Sequence, residues 1–88
     1  MHYIVKNSIL EIVDGIDTQF TVPDGVTKIG EEAFRRCASL TEINIPDSVT
    51  EIGSWTFYFC TSVTQITIPN RVTKIGEGAF HFCNSLTQ

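Results

Sequence analysis

The sequence predicts an α/β repeat solenoid, in which coils built of parallel β-strands and short helical turns stack behind an N-terminal hairpin-like cap. Two observations carry this expectation. From Pro23 onward one line of apolar, glycine and cysteine positions recurs every 23 residues, and a fixed period of roughly 20 to 29 residues with such a pattern marks stacked coils. Residues 1–22 lack the full line and read as a cap followed by a first strand.

The cap comes first along the chain. Tyr3-Ile4-Val5-Lys6 and Ile9-Leu10-Glu11-Ile12-Val13 are β-rich runs around Asn7-Ser8, a tight-turn signal, and Asp14-Gly15 supplies another. Phe20, Val22 and Pro23 then align with Ile43, Ile45 and Pro46, and with Ile66, Ile68 and Pro69. A solenoid needs such a cap because its first coil otherwise exposes an apolar face.

Within a coil, Leu40-Thr41-Glu42-Ile43-Asn44-Ile45 ends in alternating apolar residues, as a half-buried strand does. Pro46 ends the run because it has no N–H to give to a ladder. Asp47-Ser48 makes a turn, Val49 and Ile52 point back inside, and Gly53 permits a change of direction. Phe57 and Cys60, three residues apart, suit a single helical or 3₁₀ turn, with Glu31 and Glu77 favourable at its N-terminus in the neighbouring coils. The repeats occupy residues 23–88, and the equivalents of Ile66, Ile68 and Pro69 do not appear after Leu86-Thr87-Gln88. The last coil therefore reads as unfinished, the expectation being a piece of a longer array. An open coil end invites self-association, so a homodimer through that end is the natural consequence.

Composition narrows the function classes. A formal charge of -4 and a pI near 4.9 argue against a nucleic-acid surface. No apolar run is long enough to cross a bilayer as a helix. Met1-His2-Tyr3-Ile4-Val5-Lys6 has neither the apolar core nor the cleavage site of a signal peptide, which leaves the compartment unassigned. The 3 cysteines, Cys37, Cys60 and Cys83, share one repeat position and read as a column of reduced, buried thiols rather than a disulfide framework.

The recurring Leu-Thr-x-Ile-x-Ile-Pro-x-x-Val-Thr-x-Ile-Gly-x-x-Ala-Phe-x-x-Cys-x-Ser resembles the BspA-like, or Treponema-type, leucine-rich repeat family over residues 20–88. Tyr3-Ile4-Val5-Lys6-Asn7-Ser8-Ile9-Leu10 also looks like that family's N-terminal segment, with Ser8 where Gly is common. The resemblance implies a leucine-rich-repeat right-handed superhelix that binds other macromolecules, as the bacterial and protist surface proteins of the family implicated in adhesion do. The implied partner is a protein, or alternatively a glycan, with no cofactor.

Catalysis finds little support in the residues. A thiol or hydroxyl nucleophile needs an oriented base within hydrogen-bond reach. Cys60 and Cys83 lie in an inward column and His81 in an outward one. Nor do Cys60, His81 and Cys83 have zinc-ligand spacing.

Specificity is therefore expected in the outward columns. Gln19, Glu42, Gln65 and Gln88 form one, and Thr21, Asn44 and Thr67 the next, a polar strand face that serves equally as a ligand surface or as a solvated sheet. Lys28, Glu51 and Lys74 alternate in sign and predict a coil-to-coil salt ladder. Trp55, Tyr58, Phe59, His81 and Phe82 lie in outward columns to which the first coil contributes Glu32, Arg35 and Arg36. Exposed Trp and Tyr are favoured interface anchors, whereas Phe59 is expected to pack on Phe82.

Overall fold

A computed structural model describes residues 2–15, 18–81 and 83. Its first element is a β-hairpin: β1 (His2–Lys6) runs antiparallel to β2 (Ile9–Asp14). Asn7 and Ser8 connect them with φ of 54° and 65°, the two positive angles that a type I′ hairpin turn requires. The pairing slips by one residue between Ile4 and Val5.

After the hairpin each coil contributes to two parallel ladders. One joins β3 (Gln19–Thr21), β5 (Glu42–Asn44) and β7 (Gln65–Ile66), with Phe20, Ile43 and Ile66 in register. The other joins β2 to β4 (Lys28–Ile29), β6 (Glu51–Ile52) and β8 (Lys74–Ile75), with Leu10, Ile29, Ile52 and Ile75 in register. Repeat-to-repeat partners are one period apart: Ile29 to Ile52 to Ile75 in one ladder, Phe20 to Ile43 to Ile66 in the other. The period is thus a ladder register, and the hairpin caps the stack by supplying β2 where a preceding coil would stand.

The expected helical turn is replaced by a third ladder made of reverse turns, and no helix occurs among the described residues. Alternate amides close i→i+3 turns: Ala33 N–H donates to Gly30 O at 3.2 Å, Arg35 to Glu32 O at 3.1 Å, and Cys37 to Phe34 O at 3.1 Å. The intervening amides leave the coil, with Glu32, Phe34 and Arg36 donating to the carbonyls of Ser54, Thr56 and Tyr58 at 3.0, 2.8 and 2.7 Å. Trp55, Phe57 and Phe59 do the same to Glu77, Ala79 and His81. A helix would use all these amides internally, so stacking and helix compete for the same donors and stacking wins. Positive φ at Glu32, Arg36, Trp55, Phe59 and Gly78 falls at the third residue of every other turn, where a type II turn needs it.

The core fills the space enclosed by the three ladders. Phe34 and Phe57 stack with centroids 5.1 Å apart, Phe57 and Phe80 at 5.4 Å, while Phe20 and Tyr3 continue the row edge-on toward the hairpin. Val26 and Val49, Ile29 and Ile52, and Leu40 and Val63 are fully buried pairs of equivalent positions. At the other end Ile75 is 50% exposed, against 0% for Ile29 and 1% for Ile52, because no further coil lies over it among the described residues.

The cysteine column lies buried at Cys37 and Cys60 and only half-buried at Cys83, and it is polar in use. Cys37, Cys60 and Cys83 are free thiols. Cys60 Sγ–H donates to Phe34 O at 3.0 Å and Cys83 Sγ–H to Phe57 O at 3.1 Å, each reaching into the preceding coil. The expected salt ladder is only partly made: Lys28 pairs with Glu51 at 3.4 Å, and the described residues contain no ion pair between Glu51 and Lys74. The expected packing of Phe59 on Phe82 and the Gln88 position lie outside the described residues.

Candidate functional site

The candidate residues separate into two sets on different ladders. Gln19, Thr21, Glu42, Asn44, Gln65 and Thr67 are exposed on the strand face of β3, β5 and β7 and the residue that follows. Their polar groups partly satisfy one another down the stack. Gln19 Nε2 donates to Glu42 Oε1 at 3.1 Å and Asn44 Nδ2 to Thr21 Oγ1 at 3.4 Å. The face is therefore a polar ladder in which docking competes with bonds already formed.

Trp55, Tyr58, Phe59 and His81 come together on the turn side. Trp55 meets Tyr58 at right angles, with ring centroids 5.6 Å apart and an interplanar angle of 87°, and meets His81 likewise at 5.6 Å and 88°. Tyr58 and His81, one period apart, are parallel to within 2° at 5.8 Å. Phe59 lies 4.5 Å from Tyr58, edge-on. Phe82 lies outside the described residues.

Charged residues of the first coil complete the strip. The Arg35 guanidinium sits 5.4 Å over the Tyr58 ring and that of Arg36 5.2 Å over Phe59, both within cation–π range. Arg35 Nη1 also donates to Glu32 Oε1 at 2.7 Å. The column Arg35–Tyr58–His81 is thus one stack through all three coils, guanidinium on phenol on imidazole. Glu32, Arg35, Trp55 and Tyr58 line a cleft of about 230 Å³. Sequence reasoning listed the aromatics but treated Glu32, Arg35 and Arg36 only as evidence of exposure. Their shared repeat columns were the signal that they would stack.

One residue explains how the tryptophan is held. In the column of Glu32 and Trp55 the third coil has Gly78, and a side chain there would collide with the six-membered ring of Trp55. The indole therefore lies across the space that a side chain at Gly78 would occupy. Its backbone anchor is firm as well, since Trp55 N–H donates to Glu77 O at 2.9 Å.

Two other features have different chemistry. A larger groove of about 470 Å³ runs past Lys28, Glu51 and Lys74 over the backbone of Gly53 and Gly76; it offers charges of both signs and no aromatic ring. The thiols are poor nucleophiles: burial, reinforced by Cys37, pushes Cys60 up to about 12. Among the described residues no group of three His, Cys, Asp or Glu side chains could hold a metal ion, and no helix is long and apolar enough to cross a membrane.

Comparison with known proteins places this architecture. Residues 16–88 match the model of the BspA type leucine rich repeat region, in 6 copies. A leucine-rich cell surface protein of Faecalibacterium prausnitzii superposes with a TM-score of 0.83 at 36% identity over 97% of this chain and 27% of its own. A leucine-rich repeat protein of Bacteroides capillosus gives 0.81 at 26% identity, over 98% of this chain and 69% of its own. The leucine-rich repeat protein of T. pallidum shares the fold, with a TM-score of 0.70 at 23% identity, over 98% of this chain and 55% of its own. No curated protein matches the chain. This chain spans about a quarter of the Faecalibacterium protein and a little over half of the treponemal one. With the 23-residue register, the three backbone ladders and the family match in agreement, the chain belongs to the BspA-type leucine-rich repeat family.

Proposed function

We propose that this chain is a non-enzymatic, protein-binding module of the adhesion type, and that its turn side carries the contact. The observation behind this is the strip Arg35–Tyr58–His81 with Trp55 across it. Large aromatic rings lie there outside the core, half-buried against one another and held by stacking. Trp, Tyr and Arg are the residues that dominate interface energetics, and rings fixed in advance lower the ordering cost of docking. The strand face, whose polar groups already bond one another, is the weaker candidate. A cell-surface setting is consistent with the description of the Faecalibacterium protein, and further coils would extend the array as the right-handed superhelix expected of the family.

Selection from a random peptide library displayed on phage tests this reading. Ligands enriched on the chain should lose at least tenfold in binding to a Trp55→Ala/Tyr58→Ala double variant that retains its unfolding transition. Ligands that bind the double variant equally well would overturn the reading.

Ile75 favours a second reading, self-assembly. Its rung is sealed in the other coils and half-open here, so another coil, from the same or a second chain, would cover it. Sedimentation equilibrium decides this one. A dimer that Ile75→Glu dissociates supports self-assembly, and a monomer at high concentration excludes it.

A further inference from the structure

We infer that the turn side recognises an acidic segment of its protein partner, the Arg36 guanidinium taking a carboxylate and the neighbouring rings the apolar side chains beside it. This rests on the reading of the turn side as the binding surface and specifies what that surface recognises. Charge on the strip runs against the average of the chain, which carries -4. In the outward columns the first coil sets two guanidinia, Arg35 and Arg36, against one carboxylate, Glu32. The second and third coils add no charged residue to these columns, His81 being counted neutral. Arg71 is the only other arginine in the sequence. Arginine is thus concentrated where the surface aromatics are, and a net positive strip lies on an acidic molecule.

The two arginines are not equivalent. Arg35 is engaged by Glu32 at 2.7 Å, whereas Arg36 is exposed and has no ion pair among the described residues. The Arg36 guanidinium lies 5.2 Å over the Phe59 ring, which takes up one face of the group. Guanidinium N–H donors radiate in the plane of the group, so stacking leaves them directed past the ring edge, in the fork that matches a carboxylate. The Arg36 amide also donates to Tyr58 O at 2.7 Å, so the side chain starts from a fixed backbone and less freedom is lost when it captures an anion. A cationic segment finds no counterpart, because the carboxylate of these columns is already paired. An uncharged segment touches the rings but gains nothing from Arg36. A long polyanion, such as a nucleic acid or a sulfated glycan, reaches beyond the strip to Glu31 and Glu77, exposed in the adjoining column, and is repelled there. A short acidic segment meets the guanidinium alone. Trp55 and Phe59 are half-buried, so part of each ring remains for apolar contact beside the anion.

Fluorophore-labelled decapeptides that alternate leucine with glutamate, glutamine or lysine, and a labelled sulfated hexasaccharide, are titrated with the chain in about 20 mM salt, where surface charge is little screened. The glutamate peptide is expected to bind saturably and at least tenfold tighter than the glutamine peptide, and the lysine peptide not to saturate. Arg36→Gln should weaken the glutamate peptide at least fivefold, and Arg36→Lys, which keeps the charge without the fork, at least threefold. If neither variant folds, raising the salt to about 0.3 M with the parent chain should weaken the glutamate peptide at least threefold. Equal affinity for the glutamate and glutamine peptides, or a glutamate affinity unmoved by these changes, overturns the inference. Tighter binding of the hexasaccharide overturns the peptide class. Phage ligands that depend on Trp55 and Tyr58 but carry no excess of acidic residues overturn the inference while leaving the turn-side reading intact. Phage ligands indifferent to both residues overturn that reading itself.

Discussion

The indole of Trp55 and the backbone of Gly78 occupy complementary positions one period apart, such that a Cβ on Gly78 would overlap the six-membered ring. The pair occupies a column in which the first coil has Glu32, and all three residues have φ near +60°. The backbone in this column is therefore dictated by the turn ladder, whatever residue it carries. What Gly78 contributes is space rather than conformational permission, since Glu32 and Trp55 adopt the same φ without being glycine.

Gly78→Ala is expected to displace the indole. The new methyl group and the ring cannot both keep their places, and overpacking of this kind costs about 1–3 kcal/mol. Two readouts should move together: a lower urea midpoint, and a red shift of Trp55 emission as the ring swings into water. An unchanged emission maximum would mean that the indole does not rest on Gly78.

Much of this fold was legible in the residues, and the missing parts share a physical reason. The 23-residue line fixed the rung partners Phe20–Ile43–Ile66 and Ile29–Ile52–Ile75, because a period in a stacked coil is a register. Asn7-Ser8 announced the hairpin. The turn ladder was misread as a helical turn because the inward spacing of Phe57 and Cys60 is the same in both. The difference lies in where the amides of Glu32, Phe34 and Arg36 donate, and that depends on the next coil. The ladder through Ile29 and Ile52 was missed because its strands are only 2 residues long, too short for alternation to register. At the site, the aromatic side chains were visible in sequence. Their fixation by Arg35 and Gly78 was hidden in the columns, where position rather than residue type was the clue.

Thr56 should prove harder to replace by valine than by alanine. It is the buried polar residue of the core, and its hydroxyl contacts Gly53 O at 2.6 Å and Gly30 O at 3.1 Å. Its column neighbours are Ala33 and Ala79, so the site accepts alanine sterically. Thr56→Ala loses a hydrogen bond, worth about 0.5–1.5 kcal/mol. Thr56→Val loses the same bond and also presses a methyl group against two carbonyl oxygens, for a total of about 2–4 kcal/mol. Urea denaturation of both variants gives the order directly, and a valine variant as stable as the alanine one would refute the argument.

Two glycines separate close approach from backbone angle. A Cβ at Gly53 would lie 2.8 Å from Glu31 N and 2.9 Å from Gly30 C, both backbone atoms of the adjoining coil that cannot turn aside. Gly53 N–H also donates to Ile29 O at 2.8 Å, so separating the coils breaks the ladder. Gly25, with φ of +90°, has nothing within 4 Å of such an atom. Gly53→Ala is expected to cost about 3 kcal/mol or more, a large share of a small domain's stability. Gly25→Ala should cost about 1–2 kcal/mol, from strain alone. Chemical denaturation that ranked the two in the opposite order would contradict the close packing of coils at Gly53.

Alkaline pH should destabilise the fold through the cysteine column. Burial is the main cause that raises Cys60 from 9.0 to about 12, and burial raises Cys37 and Cys83 in the same direction. Below pH 9 the thiol is protonated in both folded and unfolded chains, and its contribution is fully present. Between about pH 9 and 12 the unfolded chain releases this proton while the folded chain keeps it, so the unfolded state binds fewer protons and stability falls as pH rises. A Cys60→Ala variant has no such proton. It should be less stable than the parent at pH 8, having lost the bond to Phe34 O, and the gap should shrink by about 2 kcal/mol on going to roughly pH 10.5. Comparing urea midpoints of the two proteins at both pH values cancels the titration of lysines and tyrosines they share. A gap that stays constant would mean that the Cys60 thiol ionises as readily in the folded chain as in the unfolded one.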